Sequence, residues 1–133
     1  MQTKNPLENL KRVESSMSSF YDFVQTIWPE FIAGAHHKKM AEAFDKIANG
    51  ESKRLIINMP PRHTKSEFAS YLFPAYLLGK RPKLKIIEAT HTADLAINFG
   101  RRVRDLIESD DYAEIFPATQ LKADSRSAGK WAT

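Results

Sequence analysis

Two short apolar runs, Leu55-Ile56-Ile57 and Ile86-Ile87, flank a stretch with helical patterning, and together they limit the folds open to this chain. The runs predict strands over 54–59 and 84–90. Pro60 and Pro61 end the first, because proline cannot donate to a sheet ladder. Residues 65–79 read as a helix, with Pro74 expected to kink it and Gly79 to stop it. Strand, helix and strand within about 35 residues is the pattern of a βαβ unit with parallel strands. Apolar residues on successive positions, rather than alternating ones, are the pattern of strands covered on both faces. The expectation is therefore an α/β domain. Two or three strands leave open edges, so the pattern predicts the front of a larger sheet.

The rest of the chain reads as helices. Asn5-Pro6 opens the first, with Asn as N-cap, Pro at the first helical position and Glu8 completing a capping box. Leu7, Leu10, Val13 and Met17 give it an apolar stripe. A second helix covers 20–28, with Phe20, Phe23, Val24 and Ile27 on one side, and stops at Pro29. A third runs over 36–48, burying His36 or His37 with Met40, Phe44 and Ile47, and ends at Asn49-Gly50. A long amphipathic helix is expected over 92–109, on Leu95, Phe99, Val103, Leu106 and Ile107. After "DDYAEIFP" the sequence turns polar, and "KWAT" reads as the start of a further strand. The division expected is a helical segment over 1–50 and a partial α/β core over 51–133.

Composition narrows the function. Twenty Lys and Arg against 16 Asp and Glu leave a formal charge of +4, which suits an anionic partner without requiring one. There is no cysteine for a disulfide or a thiolate metal site. His36 and His37 are adjacent, and neighbours on a helix diverge by about 100°, a poor geometry for shared ligation. No run approaches the roughly 18 apolar residues of a membrane span.

The chemistry concentrates in "NMPPRHTKSE", residues 58–67. A phosphate loop needs converging backbone N–H groups, a helix N-terminus facing the anion, a lysine for the phosphates and a hydroxyl for Mg²⁺. Lys65-Ser66 supplies the last pair at the mouth of the expected helix. Glycine commonly precedes the lysine because the turn favours positive φ. Thr64 stands there instead, and Met59 replaces the other usual glycine. Either Thr64 adopts a strained positive φ, or the prolines hold a glycine-free loop of another shape. A plain turn with solvated cations is the competing reading of the same residues.

The stretch "RLIINMPPRHTKSEFASYLFPAYLLG" resembles the phosphate loop of phage terminase large subunits, the motors that package DNA. "HHKKMAEAFDKIANGESKRL" is similar to the segment before that loop. "KLKIIEATHTADLAINFGRRVRDLIESDDYAEIFP" is similar to the family's second strand and helix, and "DSRSAGKWAT" to its approach to later strands. The resemblance covers roughly residues 20–133 and implies an incomplete P-loop NTPase-like parallel sheet with flanking helices. It implies ATP and Mg²⁺ as cofactors, with Lys65 neutralising the β/γ phosphates and Ser66 ligating the metal. Arg62 would sense or stabilise the γ-phosphate, the backbone of His63, Thr64, Lys65 and Ser66 would cradle phosphate oxygens, and Glu67 at the edge of the loop would join the cofactor-binding residues. Trp28 and His37 match the region where such motors hold adenine, although both also suit ordinary half-core positions.

The family's further motifs set the remaining expectations. Hydrolysis by such motors needs an apolar strand ending in paired acids, which hold the Mg²⁺ shell and orient water. No segment here has that pattern, and Asp110-Asp111 follows a helix instead. The chain is therefore expected to be an N-terminal portion of a terminase, acting in the cytoplasm of an infected host cell. Double-stranded DNA, a portal protein and a small terminase subunit are the implied partners, with a ring of copies in the full-length form and no membrane. The alternative is a non-catalytic nucleotide- or DNA-binding fragment. Arg101, Arg102 and Arg104 could touch DNA, yet Arg101–Asp105 and Arg104–Glu108 are spaced for pairing on a solvated helix face.

Overall fold

The computed structural model describes residues 5–123 and 130–133. The start of the "DSRSAGKWAT" segment, residues 124–129, lies outside the described residues. The chain divides into two compact units, Met1–Leu55 and Ile56–Thr133.

The first unit is three helices. Asn5 caps α1 (Pro6–Ser18) by accepting the Leu7 N–H at 3.2 Å. The expected apolar stripe of α1 is not its buried face: Leu7 is 67% exposed, and Leu10 and Met17 are exposed too. Ser16 is the buried residue. Its hydroxyl donates to the Arg12 carbonyl at 2.8 Å and shares a hydrogen bond with Thr26 Oγ1 at 2.8 Å, so burial leaves no orphaned polar group. Ser19 then caps α2 (Phe20–Ile27), which buries Phe20, Phe23 and Val24. The α3 helix (Ala35–Ala48) buries His37, Met40, Ala41, Phe44 and Ala48. The Phe20 and Phe44 rings meet edge to face at 5.2 Å, and Asp45 accepts the Phe20 N–H at 3.0 Å, tying α3 to the start of α2.

The second unit overturns the α/β expectation. Among the described residues the regular structure is helical and there is no sheet. Residues 54–60 and 84–90 have no strand pairing; Ile56 is 84% exposed and Ile87 94%. A strand is stabilised through its ladder partners and the faces they cover. Without partners, the apolar runs lie at the surface rather than between helices. The "KWAT" expectation reduces to an isolated bridge at Trp131, next to a Lys122 N–H donated to the Ala132 carbonyl at 3.0 Å.

What the second unit does build starts at Lys65. The helix opens there, passes through a π-helical stretch, Glu67–Leu72, and continues as α4 (Phe73–Lys80). Pro74 is the cause: it has no N–H, and its ring would meet the carbonyl of the preceding turn. Widening that turn, with the Phe73 N–H donated to the Phe68 carbonyl, accommodates the ring without breaking the helix. Thr92 caps α5 (Ala93–Ile107), which buries Val103, Leu106 and Ile107. Sequence reading missed α6 (Asp110–Ile115). Its signal was Ser109, whose side chain accepts the Tyr112 N–H ahead of two acidic residues.

Gly79 proves to be a packing residue rather than a helix stop. It lies inside α4, and a Cβ there would fall 2.3 Å from Cδ2 of Phe116. The Phe116 ring is buried and held by Tyr112 at 5.4 Å and Tyr76 at 6.2 Å, so it has little room to withdraw. Gly79→Ala is therefore expected to destabilise the chain by about 1–3 kcal/mol, the overpacking cost exceeding the gain of about 1 kcal/mol in helix propensity. Urea unfolding of the two proteins measures the difference; a stabilised variant would show that the ring yields freely.

Candidate functional site

The loop before Lys65 has an unusual backbone. Arg62 at φ 63° and Thr64 at φ 59° both lie in the left-handed region, and they are the only non-glycine residues that do so among those described. Such conformations cost L-residues energy, and more so the β-branched threonine. Thr64 thus adopts a backbone conformation that glycine would adopt without strain. This decides between the two loop shapes the sequence allowed.

Side chains complete the turn. Lys65 Nζ donates to the Met59 carbonyl at 3.1 Å, so the lysine arches over the loop to its opposite mouth. The Thr64 hydroxyl donates to the His63 carbonyl at 2.7 Å, and His63 Nδ1 lies 2.9 Å from the Pro61 carbonyl. The Thr64 carbonyl accepts the Phe68 N–H at 3.0 Å, the first bond of the helix. Arg62, His63 and Ser66 are exposed, and Lys65 is half-buried. The loop therefore places an ammonium, a hydroxyl and a helix N-terminus together, a donor set that fits a phosphate group. Among the described residues no group of three or more His, Cys, Asp or Glu could hold a metal ion.

Glu67 is turned to α5. Arg102 forks onto it, with Nη1 3.0 Å from Oε1 and Nη2 2.6 Å from Oε2. The guanidinium also lies 4.2 Å from the Tyr71 ring centre and 5.9 Å from that of Phe99. The Glu67 hydrogen bonds hold the Arg102 pKa above its ordinary value, while burial raises that of the Tyr71 hydroxyl. Sequence spacing could not reveal this pair, which joins residues 35 positions apart on two helices. Arg104 pairs with the adjacent Asp105 at 2.7 Å.

Trp28 and His37 belong to the first unit, not to the unit that carries the loop. Trp28 closes α2 by donating its backbone N–H to the Val24 carbonyl, and its ring packs 5.0 Å from Phe31. His37 is buried, accepts the Gly34 N–H through Nδ1 at 2.8 Å, and meets Phe31 edge-on at 4.7 Å. Both are engaged in local packing and capping.

Glu88 sits in a groove of about 690 Å³ in the second unit, lined also by Leu78, Lys83, Lys85, Ile97 and Trp131. Its Oε1 is sealed from water without a hydrogen-bond partner. Burial pushes its pKa up, and a hydrogen bond with Ser70 partly opposes the shift. Comparison of the chain with protein-family models, with curated proteins and with solved structures finds no match.

Two outcomes follow from this geometry. Thr64→Gly should be tolerated and gain roughly 1 kcal/mol of stability by relieving the left-handed threonine; denaturant melting checks it, and a clear loss would mean the hydroxyl matters more than the strain. For Glu88, the raised folded pKa favours the neutral acid. Its contribution is present below the unfolded carboxylate pKa and declines as pH rises through the folded value. Glu88→Gln should therefore show a smaller loss of stability as pH rises above the ordinary carboxylate range, as read from melting temperatures of the two proteins across that rise.

Proposed function

We propose that the chain is a nucleotide-phosphate-binding portion of a terminase-like DNA-packaging ATPase. The observation that carries the reading is the loop: left-handed Arg62 and Thr64, then Lys65 arched onto the Met59 carbonyl, at the start of a helix. A solvated turn would not need strained residues, and strain of this kind gathers at ligand clamps. The motif resemblance over residues 58–67 supplies the chemical identity, with the triphosphate of ATP as ligand and Mg²⁺ shared with Ser66.

On this reading Lys65 leaves the Met59 carbonyl for the β/γ phosphates, and the first N–H groups of the helix meet the phosphate oxygens. Arg62, exposed at the loop's apex, is free to turn toward the γ-phosphate. Hydrolysis needs a carboxylate that supports the metal and orients water. Glu67 is engaged by Arg102, which leaves it poorly suited to that role. Within a motor, the acid would come from elsewhere in the assembly. DNA contact through α5 has less support, since Arg102 and Arg104 are both committed to carboxylates.

The 133-residue chain is expected to bind Mg-ATP weakly and not to turn it over. Titration calorimetry and a phosphate-release assay measure the two properties. Lys65→Ala should abolish the binding while leaving the circular dichroism spectrum intact. Equal ATP affinity in the two proteins would refute the phosphate-loop reading, and turnover that vanishes with Lys65→Ala would mean that an acid within the chain serves after all.

A further inference from the structure

Glu67 is the third residue of the helix that begins at Lys65. Acids are common in a first helical turn because they interact favourably with its positive end. At a helix end that receives an anion, the same carboxylate would repel the ligand. Here both of its oxygens are taken by Arg102 on α5. Tyr71, one turn further along and under the guanidinium, fixes the direction from which Arg102 approaches.

The pair is only partly buried, at 37% and 34% side-chain exposure, and ion pairs so exposed contribute little to folding. Its two-point geometry and its aromatic backing nevertheless restrict Glu67 to one orientation. From this geometry we infer that Arg102 is a positioning residue for the phosphate loop: it neutralises Glu67 and turns it aside, so that an anion can approach Lys65 and Ser66. The inference rests on the phosphate-loop reading above.

Inorganic pyrophosphate, titrated into the whole chain at low salt, is a suitable probe because it carries no base or sugar. Arg102→Gln should weaken its binding about five- to tenfold, the effect of leaving one unit of negative charge uncompensated in the first turn of the helix. Adding Glu67→Gln to that variant should restore affinity to within about twofold of the starting protein, since the charge being neutralised is then gone. Arg102→Lys, which keeps the cation but loses the two-point fork, should recover only part of the affinity lost in Arg102→Gln. A purely structural role predicts the opposite: the double variant would remain weak, and the inference would fall.

If Arg102→Gln alone melts too low to titrate, Glu67→Gln by itself decides the matter. It should bind pyrophosphate more tightly than the original chain, and weaker binding would overturn the proposal. Lys65→Ala separates the two levels of the argument. Binding lost in Lys65→Ala but unchanged in Arg102→Gln removes the role of Arg102 and leaves the phosphate loop standing. Binding absent from the original chain, or indifferent to Lys65→Ala, removes both.

Discussion

Pro74 cannot donate to the helix that contains it, and the second unit is arranged around how the chain absorbs that loss. The wide turn over Glu67–Leu72 delivers the Phe73 N–H to the Phe68 carbonyl instead of breaking the helix. One extra residue in the turn shifts the helical register. Phe68, Leu72 and Phe73 are buried ahead of the proline, and Ala75, Tyr76 and Leu78 after it. Glu67 and Tyr71 stay half-exposed on the side that meets Arg102 of α5. The same distortion that keeps the helix continuous therefore presents a carboxylate and a ring to the neighbouring helix.

Aromatic side chains then hold the unit closed. Tyr112 is fully buried, and its hydroxyl donates to the Ala75 carbonyl at 2.8 Å, a bond that links α6 to α4. Burial raises its pKa, so the hydroxyl remains a donor well into alkaline conditions. Phe116 lies against Gly79, where the missing Cβ allows the ring to touch the helix backbone. Thr119, Trp131 and Thr133 donate side-chain hydrogen bonds to the carbonyls of Leu78, Gly100 and Pro82. These contacts anchor the irregular C-terminal segments without a sheet.

The candidate site depends on that packing at one remove. A left-handed Arg62 and Thr64 persist only if both ends of the loop are fixed. On one side the helix from Lys65 is held by its core residues and by Arg102. On the other, Lys65 itself reaches back to Met59. The loop is thereby pre-shaped, which would lower the ordering cost of the phosphate binding proposed for it.

Much of the helical framework was legible in the sequence, because caps and periodicity are local. Asn5-Pro6, Thr92 and Asn49 mark helix ends through bonds made within a turn, and the apolar faces of α2, α3 and α5 follow the 3.6-residue repeat. The unusual turn before Lys65 was also legible, since a threonine in the place of a glycine posed a definite question about φ. The strands were not. Leu55-Ile56-Ile57 and Ile86-Ile87 have strand composition, but a strand is defined by its partner, and composition cannot say whether one is present. Nor could spacing show that Phe116 rests on Gly79, that Ser16 rather than Leu7 or Leu10 is the buried residue of α1, or that Arg102 reaches Glu67. Sequence by itself determined what each segment does alone, through bonds between near neighbours. Tertiary structure decided which apolar runs were buried and which charges were paired, because those outcomes depend on groups brought together from distant parts of the chain.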